Sequence, residues 1–215
     1  MCGRVIQPSD HSEIKIQPDF GEGFASSKTE ARWDKPRAMR KLSANGPHDA
    51  RPAQELQVWR RHPETGEPVE GKLRWGLIPH WMKSRPDIRP INARAETVAE
   101  KPMFADAYAK RRCIVPMDAF YERDQRRKLH AFGMKDGMPF GVAGIWENWL
   151  NPEGVWERTV CIITVEPNSL VGKVHDRMPA IIPIEHHRRW MGTEPDPKDL
   201  LRPFPAKLMR EIPVR

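Results

Sequence analysis

C-I-V-P-M-D-A-F-Y-E (113–122), L-H-A-F-G-M (129–134), F-G-V-A-G-I-W (140–146) and W-E-R-T-V-C-I-I-T-V (156–165) decide the fold class of this chain. Each run is rich in β-branched, aromatic or small apolar residues and is bounded by Gly, Pro, Asn or Asp, the pattern of a strand between turns. The connections K-D-G-M-P (135–139) and N-P-E-G (151–154) are turn formers too short to hold a crossover helix. Consecutive strands joined in that way pair antiparallel. The first run reads as a strand over 113–115 that continues to residue 121.

Working outward, residues 3–7 read as a short strand that fixes the N-terminus in the fold. A weaker strand is expected over 56–60, and L-R-W-G-L-I (73–78) reads as a strand ending at Pro79. Thr97 is placed to cap a helix to about Lys110, with Met103, Phe104, Ala107 and Tyr108 inward and Pro102 interrupting the pattern. Beyond residue 165 a short helix is expected at 168–172, a strand at 180–184, and helices near 185–191 and 198–201. Residues 8–70, with many Pro, Gly and charged side chains, carry the weakest periodicity. No repeat, low-complexity tract or linker divides the chain. The expectation is one α+β domain over 1–215, built on a curved, largely antiparallel, barrel-like sheet flanked by short helices.

The 215 residues are 39% hydrophobic with 8 tryptophans, enough for a sizeable core, while 22 prolines and 30% charged residues describe a loop-rich polar surface. The net charge of +7 suits a polyanionic partner, nucleic acid before membrane, or else a solvated basic surface. Its basic residues cluster at 32–41, 51–61, 85–94, 110–112 and 123–128. No apolar run approaches the roughly 20 residues of a membrane span, and M-C-G-R-V-I-Q-P-S-D lacks a secretory signal. A cytoplasmic monomer is the default expectation, nucleoid-associated when bound to DNA. Three cysteines without a CxxC pair indicate neither a disulfide framework nor a zinc site. Cys113 and Cys161, inside apolar strands, read as core residues. The histidines show no metal spacing, and His186-His187 reads as a surface pair at a helix start. No metal or cofactor is expected.

Chemistry concentrates at Met1-Cys2-Gly3. Cysteine is small enough for Met1 to be removed, which leaves a 1,2-aminothiol: a free α-amine of pKa roughly 7.7–8.0 and a thiol near 8.5 on adjacent carbons. An aldehyde can form an imine with the amine, and the thiol can then close a thiazolidine ring. Three further segments put polar residues where a strand-rich core prefers apolar ones: I-N-A-R-A-E-T (91–97), A-F-Y-E (119–122) and V-H-D-R-M-P (174–179). Singly each has a structural explanation, with Asn92 capping a turn, Glu122 pairing a surface arginine and His175 hydrogen-bonded in a loop.

Together with R-W-G-L-I-P-H-W (74–81), R-R-C-I-V-P-M-D-A-F-Y-E (111–122), G-V-A-G-I-W-E (141–147) and the run from I-I-T-V-E-P-N to H-D-R-M-P-A-I-I (162–182), these blocks resemble the SRAP family, in family order over nearly the whole chain. These are abasic-site-processing proteins earlier named SOS-response-associated peptidases. The resemblance implies binding to single-stranded DNA at abasic sites and a thiazolidine crosslink between the N-terminal cysteine and the C1′ aldehyde, shielding the lesion. It implies Cys2 as the nucleophile, Asn92 as its anchor, Glu122 as general acid/base and His175 as a proton shuttle at the sugar ring oxygen and in crosslink reversal. It places Arg94 and Arg177 on flanking phosphates, with Arg4 a further candidate. Trp75 and Trp81 are candidates for stacking on bases, with core packing the alternative for both, above all for Trp75. Two departures stand out. An Asn-x-Ala-Pro-Thr-like segment is replaced by Asp49-Ala50-Arg51-Pro52-Ala53, and Arg123 follows F-Y-E in place of the common aromatic. The competing readings are a cysteine peptidase using the Cys2 thiol with His175 as base, and a non-catalytic single-strand binder.

Overall fold

The computed structural model describes residues 2–8 and 49–214. The basic stretch at 32–41, together with Met1, lies outside the described residues. The described chain is α+β: two sheets, with few and short helices.

The larger sheet is ring-like. β3 (Glu55–Arg61) pairs antiparallel with β4 (Pro68–Trp75) and with β6 (Arg112–Met117). β6 then pairs with β9 (Phe140–Leu150), and β9 with β10 (Trp156–Val165). A parallel contact of β10 with β4 returns the path to its start. β5 (Asn92–Arg94) runs parallel to β10, β11 (Met178–Pro179) pairs with β10, and β12 (Ile181–Ile182) pairs with β9. The second sheet has the order β13–β8–β7–β1–β2, comprising β1 (Val5–Ile6), β2 (Asp49–Ala50), β7 (Ala119–Arg123), β8 (Leu129–Met134) and β13 (Met209–Ile212). Two helices are described, α1 (Ala105–Lys110) and α2 (His187–Met191).

Several expectations change. The 113–121 run is two strands in two sheets, because the chain steps across at Asp118, whose N–H donates to the Ile6 carbonyl at 2.8 Å. The helix expected from Thr97 begins only at Ala105; residues 97–104 are turns. Pro102 has no N–H to give and disfavours helix in the residue before it. β4 ends at Trp75, where Gly76 takes φ +130°, and Leu77 and Ile78 bond to the Pro90 carbonyl and Thr159 hydroxyl instead of a ladder. Of the strand expected at 180–184 only Ile181–Ile182 form one; the N–H and C=O of Ala180 reach Ile163 and Ala143, so β11 before it joins one neighbour and β12 another. Residues 171–173 form a 3-10 turn in place of the expected helix. His187 is buried, with Nε2 2.9 Å from the Ile182 carbonyl, so the histidine pair is not a surface pair.

One apolar cluster joins both sheets, taking in Cys2, Val5, Phe120 and Phe132 from the smaller and Leu56, Ile114, Ile145 and Ile162 from the larger. Cys113 and Cys161 are buried in it, as their strands require. Gln7 fastens the two sheets: its Nε2 donates to the Gln57 and Pro116 carbonyls and its Oε1 accepts from the Gln57 N–H. No described helix is long and apolar enough to cross a membrane.

Candidate active site at the N-terminal cysteine

Cys2 is fully buried, separated from the start of β1 by two residues. β1 is only two residues long, yet it lies between β2 and β7, with Val5 facing Ala50 on one side and Phe120 on the other. The Tyr121 N–H extends that grip by bonding the Arg4 carbonyl at 3.0 Å. Position 2 is therefore held by the sheet, and a further bond holds it from across the ring: Asn92 Nδ2 donates to the Cys2 carbonyl at 2.8 Å. β5 carries Asn92 there. In a strand alternate residues share a face, so Ala93 is buried while Asn92 and the exposed Arg94 look the other way.

Glu122, near the end of β7, is buried, and loss of solvation raises its pKa to about 7. The same burial, helped by the Glu122 carboxylate, pushes the Cys2 thiol far above its usual range, so the thiol is protonated at neutral pH. His175 Nε2 lies 3.8 Å from Glu122 Oε2, too long for a hydrogen bond. The Arg177 N–H donates to His175 Nδ1 at 3.0 Å, and Asp176 Oδ1 lies 3.0 Å from the same nitrogen, so Nδ1 of the neutral imidazole has both a donor and a carboxylate beside it. Burial lowers the His175 pKa, favouring that neutral form. Asn168 supports the approach: its Oδ1 accepts from the N–H groups of Leu170 and Val171 and starts the turn that leads to His175.

Glu122 and His175 face a cleft of about 410 Å³, whose wall is completed by Gly3, Arg4, Arg51, Tyr121, Arg123 and Leu129. Three of these are arginines from three separate segments. The Arg4 guanidinium is engaged by Asp49, with Nε to Oδ1 at 2.8 Å and an Nη to Oδ2 at 2.7 Å, and it lies over the Tyr121 ring at 4.6 Å. Arg177 is engaged likewise by both oxygens of Glu96, at 2.8 and 2.9 Å, and by the Thr164 carbonyl.

The structure thus brings Cys2, Asn92, Glu122 and His175 together from four distant segments. Arg4 lines the cleft; Arg94 and Arg177 stand outside its wall, as does Trp81, which is 49% exposed. Trp75 is buried, and its indole N–H donates to the Ile91 carbonyl. Asp49 and Glu96, the carboxylate partners of Arg4 and Arg177, were not singled out by the sequence as site residues. The bidentate geometry that reveals them depends on β1 meeting β2 and on the 177 loop meeting the end of β5.

Fold and site define an α+β protein whose second residue, a cysteine, is built into a buried polar site with an amide, a carboxyl and an imidazole. The chain belongs to the SOS response associated peptidase (SRAP) family, whose model matches residues 1–215. A Bacillus subtilis relative named abasic site processing protein YoqW is 42% identical over 153 residues, covering 67% of this chain and 68% of that one. A Gallus gallus relative named abasic site processing protein HMCES is 27% identical over 213 residues, covering 85% of this chain and 62% of that one. Among solved structures, a Bacteroides thetaiotaomicron protein superposes with a TM-score of 0.70 at 31% identity over 78% of each chain. A Bordetella bronchiseptica protein does so with a TM-score of 0.74 at 26% identity over 100% of each chain.

Proposed function

We propose that this protein processes abasic sites in single-stranded DNA, capturing the ring-opened sugar as a thiazolidine on Cys2 once Met1 has been removed. The observation that carries the reading is the Asn92 bond to the Cys2 carbonyl. A thiol nucleophile needs only its side chain placed, whereas fixing the backbone of residue 2 places its amine as well. Relatives named as abasic site processing proteins support the same substrate.

The chemistry follows from the groups present. The neutral α-amine adds to the C1′ aldehyde, giving a carbinolamine, and water leaves to form an imine. The Cys2 sulfur then adds to the imine carbon as its proton is transferred away, and the five-membered ring closes. One water is lost overall. Glu122, with a pKa of about 7, can donate a proton to the departing hydroxyl and accept one from the thiol at neutral pH. Tuned in this way it serves both steps. His175 Nε2, 3.8 Å from Glu122, borders the same space, where the imidazole can exchange a proton with the sugar oxygen. Arg94 and Trp81, both exposed, are the outer DNA contacts of this reading; Arg177 reaches phosphate only by exchanging Glu96. An unpaired strand suits the mechanism, since its aldehyde is reached without melting a duplex.

A thiolate peptidase is less well supported, because the Cys2 thiol is buried and held protonated and His175 faces Glu122. A purely non-covalent binder has no need of an amine and a thiol fixed beside Glu122, which is what the Asn92 anchor supplies in the covalent reading. The test is a denaturing gel of protein, with Met1 loss checked by intact mass, incubated with single-stranded DNA carrying one abasic site. A reductant-free band is expected, absent in Cys2→Ala. In Cys2→Ser the amine survives, so a band should need borohydride trapping. A wild-type-like band in Cys2→Ala overturns the proposal.

A further inference from the structure

The cleft beside Glu122 holds more positive charge than its covalent chemistry needs, and that charge is unequally available. Arg4, the guanidinium nearest Cys2 in sequence, is bound along its Nε–Nη edge by both oxygens of Asp49, whose side chain is 4% exposed against 16% for Arg4. A carboxylate so placed neutralises Arg4 and occupies one of the guanidinium forks that a phosphate could use. Arg51 and Arg123 line the same cleft and are exposed. Arg51 follows β2 directly; extending the Val5–Ala50 register by one residue sets it alongside Arg4. Arg123 ends β7, one residue beyond Glu122, and one Nη donates to the Arg127 carbonyl at 2.6 Å. That bond orients the guanidinium in advance and reduces the entropy lost on binding. Arg126, Arg127 and Lys128, exposed at the tip of the same hairpin, extend the field outward.

We propose that Arg51 and Arg123, which line the cleft with Glu122, hold the phosphates of the DNA strand there, and that Asp49 converts Arg4 from a phosphate ligand into a positioning residue for Gly3 and Cys2. This rests on the reading that the cleft receives single-stranded DNA. The arrangement is self-consistent: without Asp49, Arg4 and Arg51 would be like charges flanking the same end of two short paired strands.

The test is the salt dependence of binding to an undamaged oligothymidylate, read by fluorescence anisotropy, with thermal melts to verify folding. For single strands each phosphate contact contributes a slope of about −0.7 in log K against log salt. Arg51→Gln and Arg123→Gln should each flatten the slope by about 0.7 and weaken binding about five-fold at 0.1 M salt. Asp49→Asn, which frees Arg4 while keeping a hydrogen-bonding partner, should steepen it by a similar amount. Unchanged slopes in both arginine variants overturn the proposal, and an unchanged slope in Asp49→Asn overturns the part given to Asp49. Abasic crosslinking by the wild type is measured alongside. A Cys2-dependent band with unchanged slopes rejects this inference alone; flattened slopes without any band uphold the phosphate contacts and reject the covalent reading.

Discussion

Glu122 is the residue on which pH acts most directly. Its folded pKa of about 7 exceeds the ordinary value of 4.5 because burial penalises the charged form. Below pH 4.5 the carboxyl is protonated whether folded or unfolded, so it adds nothing to pH dependence. Between 4.5 and 7 the unfolded chain releases a proton that the folded chain retains, and stability falls as pH rises; above 7 the penalty is constant. Glu122→Gln, neutral and of the same shape, should therefore nearly match the wild type in urea denaturation at pH 4.5 and exceed it at pH 8, by roughly 3 kcal/mol. Its crosslinking rate should drop and lose the inflection near pH 7 that the wild type shows. A variant less stable than wild type at pH 8 would mean that the ionised carboxylate is stabilised where it sits.

At the scale of elements, β9 shows how close packing sets what a strand tolerates. A Cβ on Gly141 would lie 2.5 Å from the His187 ring and 2.8 Å from Ile114 Cγ2. The ring cannot swing away without losing the Ile182 carbonyl. Gly141→Ala should cost about 1–3 kcal/mol, as overpacking does. Gly71→Ala, in β4, meets only Arg60 Nε at 3.9 Å and should be neutral or slightly stabilising in the same urea titration. Equal effects at the two positions would show that β9 has room to relax. The same elements explain what the sequence could and could not convey. β8 and β10 have the bounds read from their apolar runs, because local turn residues delimit them. The break falls at Asp118, the one charged residue inside the 113–121 run, but a single polar residue does not say that the chain changes sheets; the partner that draws it across is the Ile6 carbonyl, far away in sequence. β5 was hidden too, because its only ladder is a parallel one to β10. Cys2, Asn92, Glu122 and His175 were nominated through family-like blocks, and no periodicity placed them together. The Arg4–Asp49 pair needed the β1–β2 register, which two-residue strands do not announce.

Across the whole molecule, the continuity of the core argues that the site and the ring unfold together. The apolar cluster that contains Cys2 also contains Trp75 and Trp190, fully buried on the ring side, and Phe120 links the sheets through Phe132 and Phe140 at ring separations of 5.4 and 6.4 Å. Gln7 adds hydrogen bonds across the same junction. A smaller sheet that melted alone would expose the Phe120 and Phe132 faces and strand the Gln57 and Pro116 partners of Gln7 without compensation, which disfavours a half-folded state. Two probes can report on the two sheets separately. Tryptophan fluorescence follows the ring, while pulsed thiol alkylation, mapped by mass spectrometry, follows Cys2 against Cys113 and Cys161. All three thiols are buried and held protonated, so native protein should label slowly at each. In a guanidinium titration the three thiols and the fluorescence should share one midpoint. Labelling of Cys2 at a lower denaturant concentration than Cys113 would show that the N-terminal strand detaches first, and the cysteine would then be presented to DNA by local opening of β1.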